Sequence, residues 1–247
     1  MEIKKNMIHC GDSYKLIQSV PDKSIDCIYT DIPYLIDKGG CGSSGISQSM
    51  KRLGNSIRDF SNGIDYSVFG EFKRVMKKIN LFIWCSKNQI RDILNYWVDG
   101  GCYFEILTWN KTDPTPMCNN NWLPDVEYCL YFREKGVPLN DGYNLKSKFY
   151  VGQKNLKDKA DYLHPTIKPF ELVERHLLHA TQPGDIILDP FVGSGTTAVA
   201  CKKIGRDFIA FEIDPKYCEI ATLRLEEKTL YEKSLEDKGF QTIFDYI

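Results

Sequence analysis

Two short stretches hold the residue types that can do chemistry. In the N-terminal part, Asp31-Ile32-Pro33-Tyr34 sets a carboxylate, a peptide carbonyl, a rigid proline and an aromatic ring at the end of the apolar run 25–29. A carboxylate and a carbonyl side by side accept hydrogen bonds from an amino group, and the ring offers a flat face for stacking. In the C-terminal part, Leu188-Asp189-Pro190-Phe191-Val192-Gly193-Ser194-Gly195-Thr196-Thr197 joins a short apolar run to a helical pattern. Gly193 and Gly195 carry no Cβ, so the turn bends tightly and a ligand can press on its amides. The next apolar run, 208–211, ends in Glu212, where a carboxylate can accept from two ribose hydroxyls. Strand, glycine turn, helix, strand and acid make a nucleoside-binding unit. The bland alternatives are a strand-ending turn for the first stretch and a ligand-free strand-to-helix turn for the second.

These groups need elements to hold them. Residues 186–188 read as a buried strand, and 196–204 as a helix with Ala198, Val199, Cys201 and Ile204 on its apolar side. After Glu212 a second helix begins, capped by Asp214 with Pro215 at its first position. Gly193-x-Gly195-x-x-Ala198 also fits the dinucleotide fingerprint, but that fold requires a third parallel strand soon afterwards. The chain has only residues 242–247 left to offer. The strand must come from the other end, and Met7-Ile8-His9-Cys10 supplies it. The expected fold is therefore α/β and Rossmann-like: a circularly permuted, mostly parallel sheet with helices on both faces. Asp12 then stands at the end of a strand beside the nucleoside, placed to accept from an adenine amino group. It reads equally well as the N-cap of the helical pattern 13–19. Further strands are expected at 81–85, 103–110 and 126–132, and helices at 68–76 and 90–98, the latter stopped by Gly100-Gly101. Trp109 and Lys111 either wall a base pocket, or Trp109 belongs to the core.

With these residues in view, the chain resembles the amino-methyltransferases that modify exocyclic nitrogens of DNA bases. The order is their beta arrangement, with the catalytic tetrapeptide first and the cofactor loop last. Asp31-Ile32-Pro33-Tyr34 is similar to the family's Asp-Pro-Pro-Tyr. His164-Pro165-Thr166-Ile167-Lys168-Pro169 resembles the segment before the cofactor loop, and 188–197 resembles that loop. The departure is Ile32, which brings an N–H and a freer φ where proline is usual.

The resemblance implies a class I methyltransferase that uses S-adenosylmethionine and leaves S-adenosylhomocysteine. It implies catalysis by Asp31, Ile32, Pro33 and Tyr34, with Asp12, Asp31, Phe191, Gly193, Ser194, Gly195, Thr196 and Glu212 around the cofactor. Thr166 and Lys168 are expected at the cofactor's amino-acid end. It also implies double-stranded DNA as partner, a homodimer, a paired restriction endonuclease, and a prokaryotic or phage-encoded cytoplasmic enzyme. Asp31, where cytosine-N4 enzymes usually carry Ser, favours adenine N6 over cytosine N4. A nicotinamide-dependent oxidoreductase and a non-catalytic DNA-binding protein are the readings from other classes.

Composition fits one catalytic domain over residues 1–247, with 43% hydrophobic residues to fill a core. No apolar run reaches the ~18 residues of a membrane span, and no apolar stretch follows the N-terminal Met1-Glu2-Ile3-Lys4-Lys5 to make a secretory signal. The nine cysteines are scattered without a Cys-x-x-Cys pair, as in reduced cytoplasmic thiols, so no metal is expected. His176 and His179 read as solvated helix residues. Net charge is −1, but residues 38–91 carry ten basic against three acidic side chains and 133–168 eight against four. Phosphate binding needs such local positive charge, although Lys73, Arg74, Lys77 and Lys78 also fit a solvated helix face. The Gly/Ser-rich stretch 35–67 is expected to be a mobile lid over the site, and residues 133–163 a short target-recognition insertion.

Overall fold

In the computed structural model, residues 2–35, 63–114, 122–155, 161–162, 167–230 and 233 are described. Most of the expected lid (36–62), part of the recognition insertion, and Thr166 with its neighbours 163–165 lie outside these residues.

Among the described residues eight strands form one sheet: β1 (Met7–Cys10), β2 (Cys27–Asp31), β3 (Asn80–Cys85), β4 (Tyr103–Lys111), β5 (Val126–Arg133), β6 (Phe149–Gly152), β7 (Ile186–Asp189) and β8 (Asp207–Glu212). Their spatial order is β1-β8-β7-β2-β3-β5-β4-β6. All neighbours run parallel except those of β5, which is antiparallel to both β3 and β4. The C-terminal strands β7 and β8 are inserted between the N-terminal strands β1 and β2. This is the circular permutation expected from the short C-terminal remainder.

Strand residues alternate between two cores, as the pleat requires. Ile28, Leu81, Ile83, Leu130, Phe132, Leu188 and Phe211 face one cluster, completed by α2 (Val68–Val75) and α3 (Ile90–Val98). Cys27, Tyr29, Phe82, Trp84, Cys129, Tyr131, Ile187 and Ala210 face the other. That face is covered by α4 (Phe170–Ala180) and α5 (Thr196–Lys203), with α6 (Pro215–Leu225) packed against α5. The single turn α1 (Ser13–Leu16) follows β1. Asp214 caps α6 by accepting from the Lys216 amide, with Pro215 first in the helix, as its sequence signals.

Three expectations need revision, and the open alternative for Trp109 is resolved. Strand β6 falls inside the expected recognition insertion, where no strand was foreseen. It has four residues and pairs only with β4, far away in sequence, so local pattern could not reveal it. Trp109 is core: it is 3% exposed and its indole N–H donates to the Gly152 carbonyl at 3.1 Å. Arg74, half-buried, and Lys77, exposed, are both already paired within the chain rather than free for phosphate. Arg74 binds Glu71, Asp22 and the Ile17 and Val20 carbonyls, while Lys77 grips both oxygens of Asp26.

His176, finally, is not a solvated helix residue. It is 4% exposed and stacks on Phe82 with ring centroids 5.3 Å apart. The α4 face that carries it is turned into the core. Among the described residues no His, Cys, Asp or Glu group is arranged to hold a metal, and no helix is long and apolar enough to cross a membrane.

Burial pushes the His176 imidazole down to about 3, with the charges of Arg175 and His179 acting in the same direction. The unfolded chain therefore binds a proton that the folded chain refuses. Stability from this residue is complete above about 6.5 and is lost as pH falls towards about 3. Urea midpoints measured from pH 7 to 4 should decline less steeply in His176→Phe than in the parent chain. Equal slopes would show that His176 already carries its proton in the fold.

Candidate active site

The parallel strands end along one edge of the sheet, and the chemistry-bearing residues gather there. Asp31 ends β2 and lies in register with Trp84 of β3, while Glu212 ends β8 in register with Cys10 of β1. Asp189 ends β7 between them. Ligands of open α/β sheets bind at this carboxyl edge, where the strand order reverses.

Around Asp31 the loop is fixed from beneath. The Ile32 N–H, the group proline would lack, donates to the Trp84 carbonyl at 3.2 Å, and the Ile32 side chain is buried. The departure from proline thus extends the β2–β3 ladder by one bond rather than loosening the turn. The buried Gln89 donates to the Pro33 carbonyl at 2.9 Å and accepts from both the amide and the hydroxyl of Ser86. The Ser86 hydroxyl also lies 3.1 Å from the Leu35 carbonyl.

Lys168 comes to this loop. Its ammonium lies 2.7 Å from Asp31 Oδ2 and 2.8 Å from Glu127 Oε2, and 3.4 Å from the Tyr34 hydroxyl. Glu127 in turn binds Lys111 through Oε1 at 2.6 Å. The Lys168 charge stands 4.9 Å from the centroid of the Trp84 ring. The Trp84 indole N–H is held by the Tyr29 hydroxyl at 2.9 Å, itself 3.2 Å from His176 Nδ1. Asp31 Oδ1 is shielded from solvent and has no hydrogen-bond partner among the described residues.

Burial opposes the charge on Glu127, but Lys168 and Lys111 outweigh it and hold the carboxyl down at about 2. Burial likewise works against the Lys168 ammonium, and Asp31 and Glu127 overcome it to raise its pKa. Burial raises the Asp31 carboxyl above the usual value, against the pull of Lys168.

The glycine turn sits beside this loop. The Gly193 amide donates to Glu212 Oε2 and the Asp214 amide to Oε1, each at 2.9 Å. Each Glu212 oxygen keeps a further lone pair, so the acid can also accept from a ligand. Gly193 and Gly195 have φ of +52° and +85°, the left-handed region. A Cβ on Gly195 would lie 2.9 Å from the Ala221 Cβ, so glycine is also what lets α5 pack on α6. The buried Arg224 binds the Ser194 carbonyl and both the Ser194 and Thr196 hydroxyls, which ties these side chains to α6. Phe191 meets Tyr14 edge-on. Asp12 caps α1 by accepting from the Tyr14 amide, and the neighbouring Gly11 amide donates to the Glu212 carbonyl at 2.7 Å. The cap and a position beside Glu212 are thus compatible.

Of the expected site residues, the structure gathers Asp31, Ile32, Pro33, Tyr34 and Lys168 at one end of the edge. Asp12, Phe191, Gly193, Ser194, Gly195, Thr196 and Glu212 gather at the other. Lys168, expected near a cofactor's amino-acid end, stands on Asp31. Glu127, Ser86, Gln89 and Arg224 were not foreseen. Only Glu127 had a signal: it opens a strand on the same face as the buried Cys129 and Tyr131, where a charge must be paired.

The nucleoside side of the edge suits S-adenosylmethionine on its own chemistry: a carboxylate with lone pairs in reserve at a strand end, beside a turn whose glycines leave the backbone open. A family model described as DNA methylase, of the N6/N4 class, matches residues 25–223. The Type II methyltransferase M2.LlaDCHI of Lactococcus lactis subsp. cremoris is 31% identical over 245 residues, covering 91% of this chain and 90% of its own. M2.DpnII of Streptococcus pneumoniae is 29% identical over 252 residues, with 90% of each chain covered. Among solved structures, the M1.HpyAVI–SAM complex superposes with a TM-score of 0.65 at 25% identity, over 89% of this chain and 98% of its own. The cytosine-N4-specific PvuII DNA methyltransferase shares the fold, with a TM-score of 0.70 at 18% identity over 96% and 92% of the two chains. With its permuted sheet, acid-ended strands and glycine turn, the chain belongs to the N6/N4 family of S-adenosylmethionine-dependent DNA amino-methyltransferases.

Proposed function

We propose that the protein methylates the N6 amino group of adenine in double-stranded DNA, with Asp31, Ile32, Pro33 and Tyr34 as its catalytic loop. The observation that carries this reading is the Asp31 carboxylate: it ends β2 at the carboxyl edge of the sheet with one oxygen held by Lys168, which fixes its orientation. When bound, S-adenosylmethionine supplies a methyl group already activated on a sulfonium.

The remaining work belongs to this chain. An exocyclic amino group is a weak nucleophile because its lone pair is conjugated with the ring. The Asp31 carboxylate and the Ile32 carbonyl accept its two hydrogens, which favours the pyramidal nitrogen and stabilises the positive charge that develops on it. Both acceptors are fixed before the base arrives, through the Ile32–Trp84 bond and the Gln89–Pro33 bond, so little reorganisation is left for the reaction. Tyr34 stacks on the base, which has to leave the duplex at a cost of about a few kcal/mol. Glu212 would hold the ribose hydroxyls and Asp12 the adenine amino group of the cofactor, with Phe191, Gly193, Ser194, Gly195 and Thr196 as the other residues that would line it. Asp31 rather than Ser at the first position of the loop supports adenine as the target.

Nucleoside analysis of DNA methylated by the purified protein tests the reading. N6-methyladenine is the expected product. N4-methylcytosine would overturn the choice of base, and the absence of any methylated base would overturn the activity.

A further inference from the structure

The four-membered chain Lys111–Glu127–Lys168–Asp31 reaches beyond the catalytic loop, and Glu127 has no part in the chemistry described above. Glu127 sits on β5 and Lys111 on β4, two strands that run antiparallel to each other with Trp109 opposite Glu127. Lys111 takes one Glu127 oxygen at 2.6 Å, which leaves the other, at 2.8 Å, for Lys168. The Lys168 side chain is 12% exposed, whereas that of Asp31 is 38% exposed. The lysine is thus the inner, anchored partner and the aspartate the outer one.

We propose that Glu127 is a positioning residue for methyl transfer: pinned by Lys111, it holds the Lys168 ammonium on Oδ2 of Asp31 and so fixes the orientation of the carboxylate before the target amino group arrives. This rests on the reading of Asp31 as the acceptor of that amino group. A carboxylate with no anchor on Oδ2 rotates about its Cβ–Cγ bond and offers either oxygen in any direction. Anchored through Lys168, it keeps one orientation. The anchor also keeps a positive charge against Asp31, which favours the ionised form that accepts hydrogen bonds.

The charge geometry gives two opposite expectations for Glu127→Gln, and these separate a positioning role from mere proximity. Glu127 is itself a negative charge near Asp31 and raises the Asp31 pKa directly. If it did nothing else, its removal would move the acid limb of the kcat profile to lower pH. If it acts through Lys168, its removal frees the ammonium from Asp31 and moves the acid limb to higher pH. The other titratable groups facing Asp31 are Tyr34 on its own loop, Tyr29 on β2, Cys85 on β3, Cys129 on β5 and Asp189 on β7. Burial raises all of them, Cys85 to about 12 and Asp189 to about 7. Asp189 can add its own inflection, but it is common to parent and variant, so the difference between the profiles reports on Asp31.

The experiment measures kcat and KM for DNA from pH 5.5 to 9 in the full-length parent, Glu127→Gln and Glu127→Asp, each checked by a melting curve. Glu127→Gln should lower kcat by about 10–100-fold, the cost of a misplaced reacting group. KM for DNA should stay within about threefold, and the acid limb should move to higher pH. Glu127→Asp keeps the charge but withdraws it by one methylene, and should move both quantities less in the same direction. It serves alone if the glutamine variant fails to fold. An acid limb that stays in place or moves to lower pH would overturn the proposal, as would a change confined to KM. Asp31→Ala measured alongside separates the two readings. Full turnover in Asp31→Ala removes the catalytic loop itself. An inactive Asp31→Ala beside a parent-like Glu127→Gln removes only the role given to Glu127.

Discussion

Asp31→Ala should fold and bind DNA yet lose nearly all methyl transfer. The residue ends β2, and its side chain is 38% exposed rather than packed in the core, so the fold does not depend on it. Removing one preorganised group that stabilises developing charge typically costs ~10²–10³ in rate. A carboxylate facing the reacting nitrogen sets the upper end of that range as the expectation. Tyr34→Ala should behave differently, losing the stacking of the flipped base, worth roughly 1–3 kcal/mol. Tyr34→Phe keeps the ring, loses a hydroxyl 3.4 Å from the Lys168 ammonium and 3.5 Å from Glu127, and should retain much of the activity. Transfer of labelled methyl groups to unmethylated DNA, beside melting curves, decides between these outcomes. A folded Asp31→Ala that methylates near the parent rate would remove the tetrapeptide from the catalytic centre.

Gly195→Ala should have the largest effect on the cofactor side. Its φ of +85° costs an L-residue roughly 1–2 kcal/mol. The new Cβ would also lie 2.9 Å from the Ala221 Cβ and 3.0 Å from its Cα. The latter is helix backbone, which cannot swing aside, and such overpacking typically costs about 1–3 kcal/mol. Together these predict a loss of about 2–5 kcal/mol and a fall in Tm of about 5–20 °C. Because α5 must move to relieve the contact, the turn 193–196 moves with it, and calorimetric titration should show S-adenosylmethionine binding lost or strongly weakened. Gly205→Ala is the control. Gly205 also has positive φ, at +71°, but its Cβ would meet nothing within 4 Å, so only the strain term applies. Equal melting shifts in the two variants would show that the contact with Ala221 contributes nothing.

Much of the architecture is legible because it is written in local pattern. Apolar runs marked β2, β3, β7 and β8, and Asp214-Pro215 marked the start of α6 to the residue. The permutation followed from counting: a nucleoside-binding half was present, its third strand was missing after it, and 7–10 was free. The acid-ended strands and the glycine turn could be named because strand ends and positive φ leave chemical signatures in the residues themselves.

What the sequence alone determined, then, is the set of groups that act and the order of the elements that carry them. Both depend on residue type and on spacing along the chain. Which groups meet was decided by the tertiary structure. Lys168 lies 137 residues from Asp31 and 41 from Glu127. No pattern in the chain tells that the lysine would stand on that carboxylate. His176 shows the same limit: helical spacing gives a residue's face, but only the packing of α4 on the sheet decides that this face is buried against Phe82 and Trp84. Ile32 is a third case. From the sequence its N–H is a departure from the family's proline, and only the neighbouring β3, with the Trp84 carbonyl in reach, turns it into a bond. A buried ion pair, a stacked ring and a ladder hydrogen bond each depend on two surfaces meeting, and a sequence lists one surface at a time.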